Sequence, residues 1–171
     1  LRNIITRLYR ALGAGAAIAI MEGLVRFGHH EAARVPFVTS IVLTMSAPDT
    51  APAQPYAVIA GHMLSSLAGM AALFCFGPGD AAAAVGVGFA ALLMLSCRAL
   101  HPPAGIDAFL VAQLGLPLAW VVNPVLIGAL LLAAFSRLWA AVGHHLLEAL
   151  PIAAKVQRST RDDRPRTEPL A

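Results

Sequence analysis

His101-Pro102-Pro103-Ala104-Gly105 interrupts an otherwise apolar sequence, between the run at residues 81–100 and a second apolar stretch at 106–116. Proline presets φ and lacks an N–H, so it is favoured in the first turn of a helix, where its missing donor would have no partner anyway. A new helix therefore starts here. Its first free amides would be those of Ala104, Gly105 and Ile106, and unpaired N–H groups at a helix N-terminus carry partial positive charge that suits a small anion. Gly105 leaves room for close approach, and His101 adds a titratable ring at membrane depth.

The flanks make that depth the natural reading. The chain is 58% hydrophobic and 12% charged, where soluble domains carry about 25% charge; an all-α integral membrane protein is expected. Residues 56–76, 81–100 and 117–136 are each about 20 residues long, enough to cross a ~30 Å hydrocarbon core. Residues 11–27 form a fourth, shorter candidate interrupted by Glu22 and Arg26. Its basic start resembles a signal peptide, but the chain beyond it is mostly apolar, so it is read as a span. Nine of the twelve basic residues flank the ends, Arg2, Arg7 and Arg10 before the first span and Arg137, Lys155, Arg158, Arg161, Arg164 and Arg166 after the last. The positive-inside rule then puts both ends in the cytoplasm, in a bacterial inner membrane. Residues 1–150 are expected to form the transmembrane domain and residues 151–171, polar and charged, a disordered cytoplasmic tail. Residues 137–150 read as an interfacial amphipathic helix.

Two apolar pieces, residues 35–47 and 104–116, are too short to cross and begin near a proline, as re-entrant or half-helix segments do. The chain thus reads as four transmembrane helices plus two short segments, in two units of span, short segment, span. A two-unit internal repeat of parallel orientation, as in some transporters, is the working hypothesis. Both short segments would enter from the non-cytoplasmic side. Small residues recur every fourth position at Gly61, Ser65 and Gly69, at Ala82, Gly86 and Ala90, and at Ala11, Gly15 and Ala19. Close helix packing is the first reading of these stripes, pore lining the second. Cys75 and Cys97 should lie near opposite membrane faces as free thiols.

An ionisable group inside a membrane needs a partner or a function. Glu22 and Arg26, four apart, can pair on one helix face. Arg98, three residues before His101, would share its face, and Asp107 comes six residues after it; Arg98 and Asp107 form either a structural ion pair or, with His101 and the amides after Pro103, an anion site. His62 is either bonded to a neighbouring helix or a proton carrier. Thr39, Ser40 and Thr44 offer hydroxyls to a solute or to their own helix. His29, His30, His144 and His145 fall at interfaces and read as solvated. No His-x-x-x-His or Glu-x-x-His pattern supports a metal site from His62, His101 and Asp107. The candidate solute-binding residues are therefore Arg98, His101, Pro102, Pro103, Ala104, Gly105, His62, Thr39, Ser40 and Asp107. No catalytic residue, metal or cofactor is expected.

These residues carry a family resemblance. Pro36-Phe37-Val38-Thr39-Ser40, Ala47-Pro48-Asp49, Ala53-Gln54-Pro55, Gly61-His62, Ser65 and Gly69, Arg98 and His101-Pro102-Pro103-Ala104-Gly105 together resemble the HPP family of integral membrane proteins. The resemblance implies four spans and a transport function, and plant plastid and cyanobacterial members are associated with nitrite transport. Ile106-Asp107 stands where many members have small residues; the added carboxylate would pair with Arg98 or serve a coupling proton or cation. The expected function is a transporter or channel for a small inorganic anion, nitrite first, working in the lipid bilayer as a homo-oligomer and without a nucleic-acid partner. The alternatives are a cation transporter or a membrane assembly or sensor subunit that transports nothing.

Overall fold

The structure, a computed structural model, describes residues 2–28 and 34–149. Among these are six α-helices and no strand: α1 (Arg2–Gly28), α2 (Arg34–Ser46), α3 (Pro55–Phe76), α4 (Asp80–Ser96), α5 (Gly105–Leu114) and α6 (Ile127–Ala149). Pro55 and Pro102 open helical segments, as their fixed φ favours. Gly115 closes α5 in the left-handed conformation at φ 64°, the glycine-favoured helix stop.

The helices alternate in direction along the chain. The Arg10 guanidinium donates to the Ser46 carbonyl, 3.0 Å, so α2 ends beside the start of α1. Tyr56 Oη donates to the Cys97 carbonyl, 3.0 Å, placing the end of α4 beside the start of α3. The Gly79 amide donates to the Ala112 carbonyl, 3.1 Å, placing the end of α5 beside the α3–α4 turn. Tyr9 stacks on Trp139 at 4.8 Å and donates to its carbonyl, so α6 returns to the end where α1 began. Both termini of the described chain lie at that end, called here the loop end because the 47–54 and 97–104 connections are there as well.

Three helical stretches are long and apolar enough to cross a membrane: Asn3–Gly23, Pro55–Phe76 and Val121–Leu146. The 17 residues of α4 extend about 25 Å at 1.5 Å per residue. The short segments do not fold back as expected. Helix α2 enters at one end of the bundle and leaves at the other, and so does α5 with its Pro102–Ala104 turn. Two three-helix units, α1–α3 and α4–α6, therefore run in opposite directions, not in the parallel sense that four spans and two re-entrant pieces would give. Residues 137–149 continue α6 and are not a separate interfacial helix, because Trp139 and Gly143 pack against Tyr9 of α1. Pro124 and the extended Asn123 (φ −127°, ψ 109°) interrupt the approach to α6 in a π-turn, where proline removes a helical donor.

Small residues set the spacing of α3, α4 and α5. Gly61, Ser65 and Gly69 are buried, as are Ala82, Gly86 and Ala90. A Cβ on Gly69 would lie 2.7 Å from Ala108 Cα and from its carbonyl oxygen, and one on Gly86 would lie 3.3 Å from Gly69 Cα. Backbones this close are what small-residue stripes allow in lipid. The third stripe differs: Ala11, Gly15 and Ala19 are exposed. A second apolar cluster, with Ala17, Phe37, Ile41, Met45, Val58, Ala129 and Leu132 buried, joins α1, α2, α3 and α6. The Glu22–Arg26 pair, His29, His30 and the tail at 151–171 fall on side chains or residues outside the described set.

Candidate functional site

Four side chains from three helices and one loop form a single hydrogen-bonded chain with no solvent exposure: Ser40 (α2), His62 (α3), His101 (the turn before α5) and Asp107 (α5), each at 0%. His62 Nδ1 lies 2.6 Å from Asp107 Oδ2. His62 Nε2 lies 2.9 Å from Ser40 Oγ, which lies 2.9 Å from His101 Nε2. His101 Nδ1 donates to the Pro52 carbonyl at 2.7 Å. The two rings are 5.1 Å apart, and Phe37 tilts against His62 at 4.8 Å.

Local structure places each member. Gly61 admits His101: a Cβ there would sit 2.7 Å from His101 Cβ. Gln54 Nε2 donates to the Pro48 carbonyl, 2.9 Å, and so holds the 47–54 loop that presents Pro52. Ser65 Oγ accepts the Ala108 amide, 3.2 Å, and fixes the first turn of α5 beside α3. Thr44 donates to the Ser40 carbonyl at 2.9 Å. These contacts give separate jobs to the Gln-Pro, Gly-His and His-Pro-Pro elements of the sequence, all of which converge on this loop end.

Partner chemistry constrains the protons. A carbonyl only accepts, so His101 Nδ1 carries hydrogen and a neutral His101 offers Nε2 as an acceptor. Ser40 has one hydroxyl proton and three acceptors within reach: both Nε2 atoms and the Pro36 carbonyl at 3.1 Å. If Ser40 donates to His101, His62 Nε2 must donate to Ser40. One more proton then lies between His62 Nδ1 and Asp107 Oδ2, making either a buried ion pair or its neutral tautomer. Every ring nitrogen is thus engaged. Asp107 Oδ1 and Ser66 Oγ, one turn beyond His62 on α3, are buried and bond to no protein atom.

The expected site residues divide. Ser40, His62, His101 and Asp107 come together; Thr39 is exposed. Arg98 is exposed as well and joins no described member of the cluster. Helix α4 stops at Ser96, and Arg98 takes a left-handed conformation at φ 53°. Its amide bonds to the Leu95 carbonyl and the Ala99 amide to the Met94 carbonyl, the pairing of a Schellman turn, whose left-handed position usually holds glycine. Helical spacing from Arg98 to His101 therefore does not apply, and Asp107 pairs with His62 instead of Arg98. Pro102 is exposed and Pro103 half-buried, and Ala104 is buried. The amides of Ala104 and Gly105 are spent on the carbonyls of His101 and Pro102, so this helix start does not offer the open cradle the prolines suggested. A Cβ on Gly105 would touch nothing within 4 Å. Pro52, through its carbonyl, is an additional site member, and a backbone acceptor leaves no signal in the sequence.

A cavity of about 210 Å³ opens at the loop end, lined in part by Arg10, Thr44, Asp49 and Trp139. Arg10 and Asp49, both in its lining, form an ion pair at 3.6 Å. His144 and His145 are exposed near this end.

A helical bundle with long apolar helices and a buried ionisable cluster defines an integral membrane protein. The transmembrane-region model of the HPP family matches residues 2–146, and the chain belongs to that family. It is 31% identical over 105 residues to a transmembrane protein of Dictyostelium discoideum, covering 56% of this chain and 36% of the relative. The chain thus spans about a third of that relative's length. No solved structure matches it.

Proposed function

We propose that the chain transports a small inorganic anion, with nitrite as the first candidate, and that the buried cluster binds it in a protonated, net positive form. The observation that carries this reading is the burial of Ser40, His62, His101 and Asp107 in one hydrogen-bonded group. Ionisable groups at membrane depth are costly and mark solute or proton paths by default. Transporters built of oppositely directed units place their sites where short or broken helices from the two halves meet. Here α2 and α5, second in each unit, are the short helices, and they supply Ser40 and Asp107.

No lysine or arginine among the described side chains reaches the cluster, so its positive charge has to come from a proton. With Asp107 offsetting one histidine, a further proton leaves the other histidine's charge for an anion. Anion and proton then cross together. The cavity at the loop end has Thr44, one turn from Ser40, in its lining, and supports an approach to the cluster from that side. Nitrite is chosen because HPP members of plastids and cyanobacteria are associated with it. A homo-oligomer in a bacterial inner membrane, both ends cytoplasmic, completes this reading. The free Asp107 Oδ1 favours a second reading, a small cation as solute.

Uptake by liposomes containing the purified protein tests the proposal, with nitrate, formate and chloride beside nitrite. Selective, proton-stimulated nitrite uptake that is lost in His101→Ala supports it. Cation uptake without anion uptake moves the assignment to the second reading, and no flux of any kind favours a membrane assembly or sensor subunit.

A further inference from the structure

Ser40 stands between two ring nitrogens and a carbonyl with one proton to give, and we infer that it is the switch of a proton relay between His101 and the His62–Asp107 pair. The inference rests on reading this cluster as the transport site. The bonds are short enough for transfer without rearrangement: 2.9 Å from Ser40 Oγ to each Nε2, and 2.6 Å from His62 Nδ1 to Asp107.

With Asp107 ionised and one ring positive, the cluster is neutral overall and Ser40 determines which ring holds the charge. When His62 holds it, His62 Nε2–H donates to Ser40 Oγ and the Ser40 hydroxyl donates to His101 Nε2. Transfer breaks the His62 Nε2–H bond and joins that proton to Oγ. The original Ser40 O–H bond breaks and its proton forms an N–H bond at His101 Nε2. His62 is left neutral, its Nδ1–H still on Asp107, and His101 becomes an imidazolium whose Nδ1–H remains on Pro52. Serine ends with one proton as it began, so the net event moves one positive charge from the pair to His101.

A further proton makes both Nε2 atoms donors. Ser40 then accepts from both rings, and its hydroxyl turns to the Pro36 carbonyl, 3.1 Å away. The serine rotor thus has a distinct position for each loading state. Pro36 sits in the first turn of α2 and Pro52 in the loop end, so the two carbonyls that frame the relay belong to the bundle's framework. On the described elements packed around the cluster, no other titratable side chain joins its hydrogen bonds; Arg98 and Asp49 of the adjoining loops are exposed. The inner end of the relay is Asp107, whose buried Oδ1 bonds to no protein atom and remains for the solute.

Nitrogen NMR of histidine in the purified protein, in lipid nanodiscs and without any solute, reads the relay directly. In the wild type the Nε2 signals of His62 and His101 are expected to move together through shared titration steps, as interacting sites do. Ser40→Ala should separate the two titrations, and Ser40→Thr, which keeps a hydroxyl, should restore them. Proton-driven nitrite uptake by Ser40→Ala should fall by about 10²-fold, the low end of what a positioned proton-transfer group contributes. Rings that titrate independently in the wild type, or identically in Ser40→Ala, overturn the relay. Independent titration in the wild type overturns the relay even if the alanine variant does not fold. Shared titration with no flux of any anion would retain the relay and refute the transport reading; uptake with independent rings would do the reverse.

Discussion

Replacing Gly69 by alanine tests whether backbone contact between α3 and α5 sets the geometry of the buried cluster. The new Cβ would lie 2.7 Å from both Cα and O of Ala108 and 3.1 Å from its carbonyl carbon. Non-bonded carbons settle at about 3.5–4.0 Å, so the two helices would have to part by on the order of 1 Å. These are backbone atoms that no rotamer change can clear. Overpacking of this kind costs about 1–3 kcal/mol. Gly15→Ala is the matched control, since its Cβ would meet nothing within 4 Å and alanine in a helix gains about 0.5–1 kcal/mol over glycine. Both variants share that gain, so their difference isolates the steric cost. Reversible unfolding in mixed micelles should place Gly69→Ala about 1–3 kcal/mol below Gly15→Ala. Asp107 precedes Ala108, so solute uptake should fall in Gly69→Ala and not in Gly15→Ala. Equal stabilities for the two variants would refute the close α3–α5 approach and with it the position of Asp107.

Further outcomes concern the cluster and the topology. Asp107→Ala, which leaves the buried His62 Nδ1 without its partner, should cost about 1–3 kcal/mol by the same unfolding assay. Asp107→Asn keeps an acceptor for His62 Nδ1 but removes the charge, so it should assemble and lose proton-driven uptake, read as flux into liposomes. Arg98→Gly should retain uptake and unfold no earlier than wild type, because glycine suits the left-handed turn position that Arg98 occupies; loss of flux would return Arg98 to the binding site. Cysteines placed singly at Val35 and Ala47, in a background without Cys75 and Cys97, should react with an impermeant reagent from opposite membrane faces. Reaction from one face would restore a re-entrant α2.

Much of the architecture was legible because its signals are local. Apolar length gave α3 almost at its observed bounds, whereas the expected span at 117–136 overlaps α6 only over 127–136, because the Asn123–Pro124 turn delays its start and packing on α1 prolongs its end. Four-residue spacing gave the buried small-residue faces of α3 and α4. The proline-led starts gave α5 and the short α2. Their direction was not legible, because length alone does not distinguish a segment that folds back from one that leaves at the opposite end. Packing decides it, through contacts such as Arg10 to Ser46. The site was legible by residue type and not by partner. His62, His101, Ser40 and Asp107 were all candidates, yet Ser40 meets histidines 22 and 61 positions away in sequence, separations that no periodicity encodes. Arg98 misled for a local reason: the three-residue spacing to His101 assumes a helix that ends two residues before Arg98. The exposed stripe at Ala11, Gly15 and Ala19 shows that the same pattern need not be packed within one chain.

The most direct test of the central claim is nitrite uptake into proteoliposomes under an imposed pH gradient, with interior pH recorded and protein-free vesicles subtracted. Acid outside should accelerate uptake and acidify the interior in step with it, and both signals should vanish in Asp107→Asn. Nitrite uptake that ignores the gradient, or persists unchanged in Asp107→Asn, would contradict a proton-loaded site at His62, Ser40, His101 and Asp107.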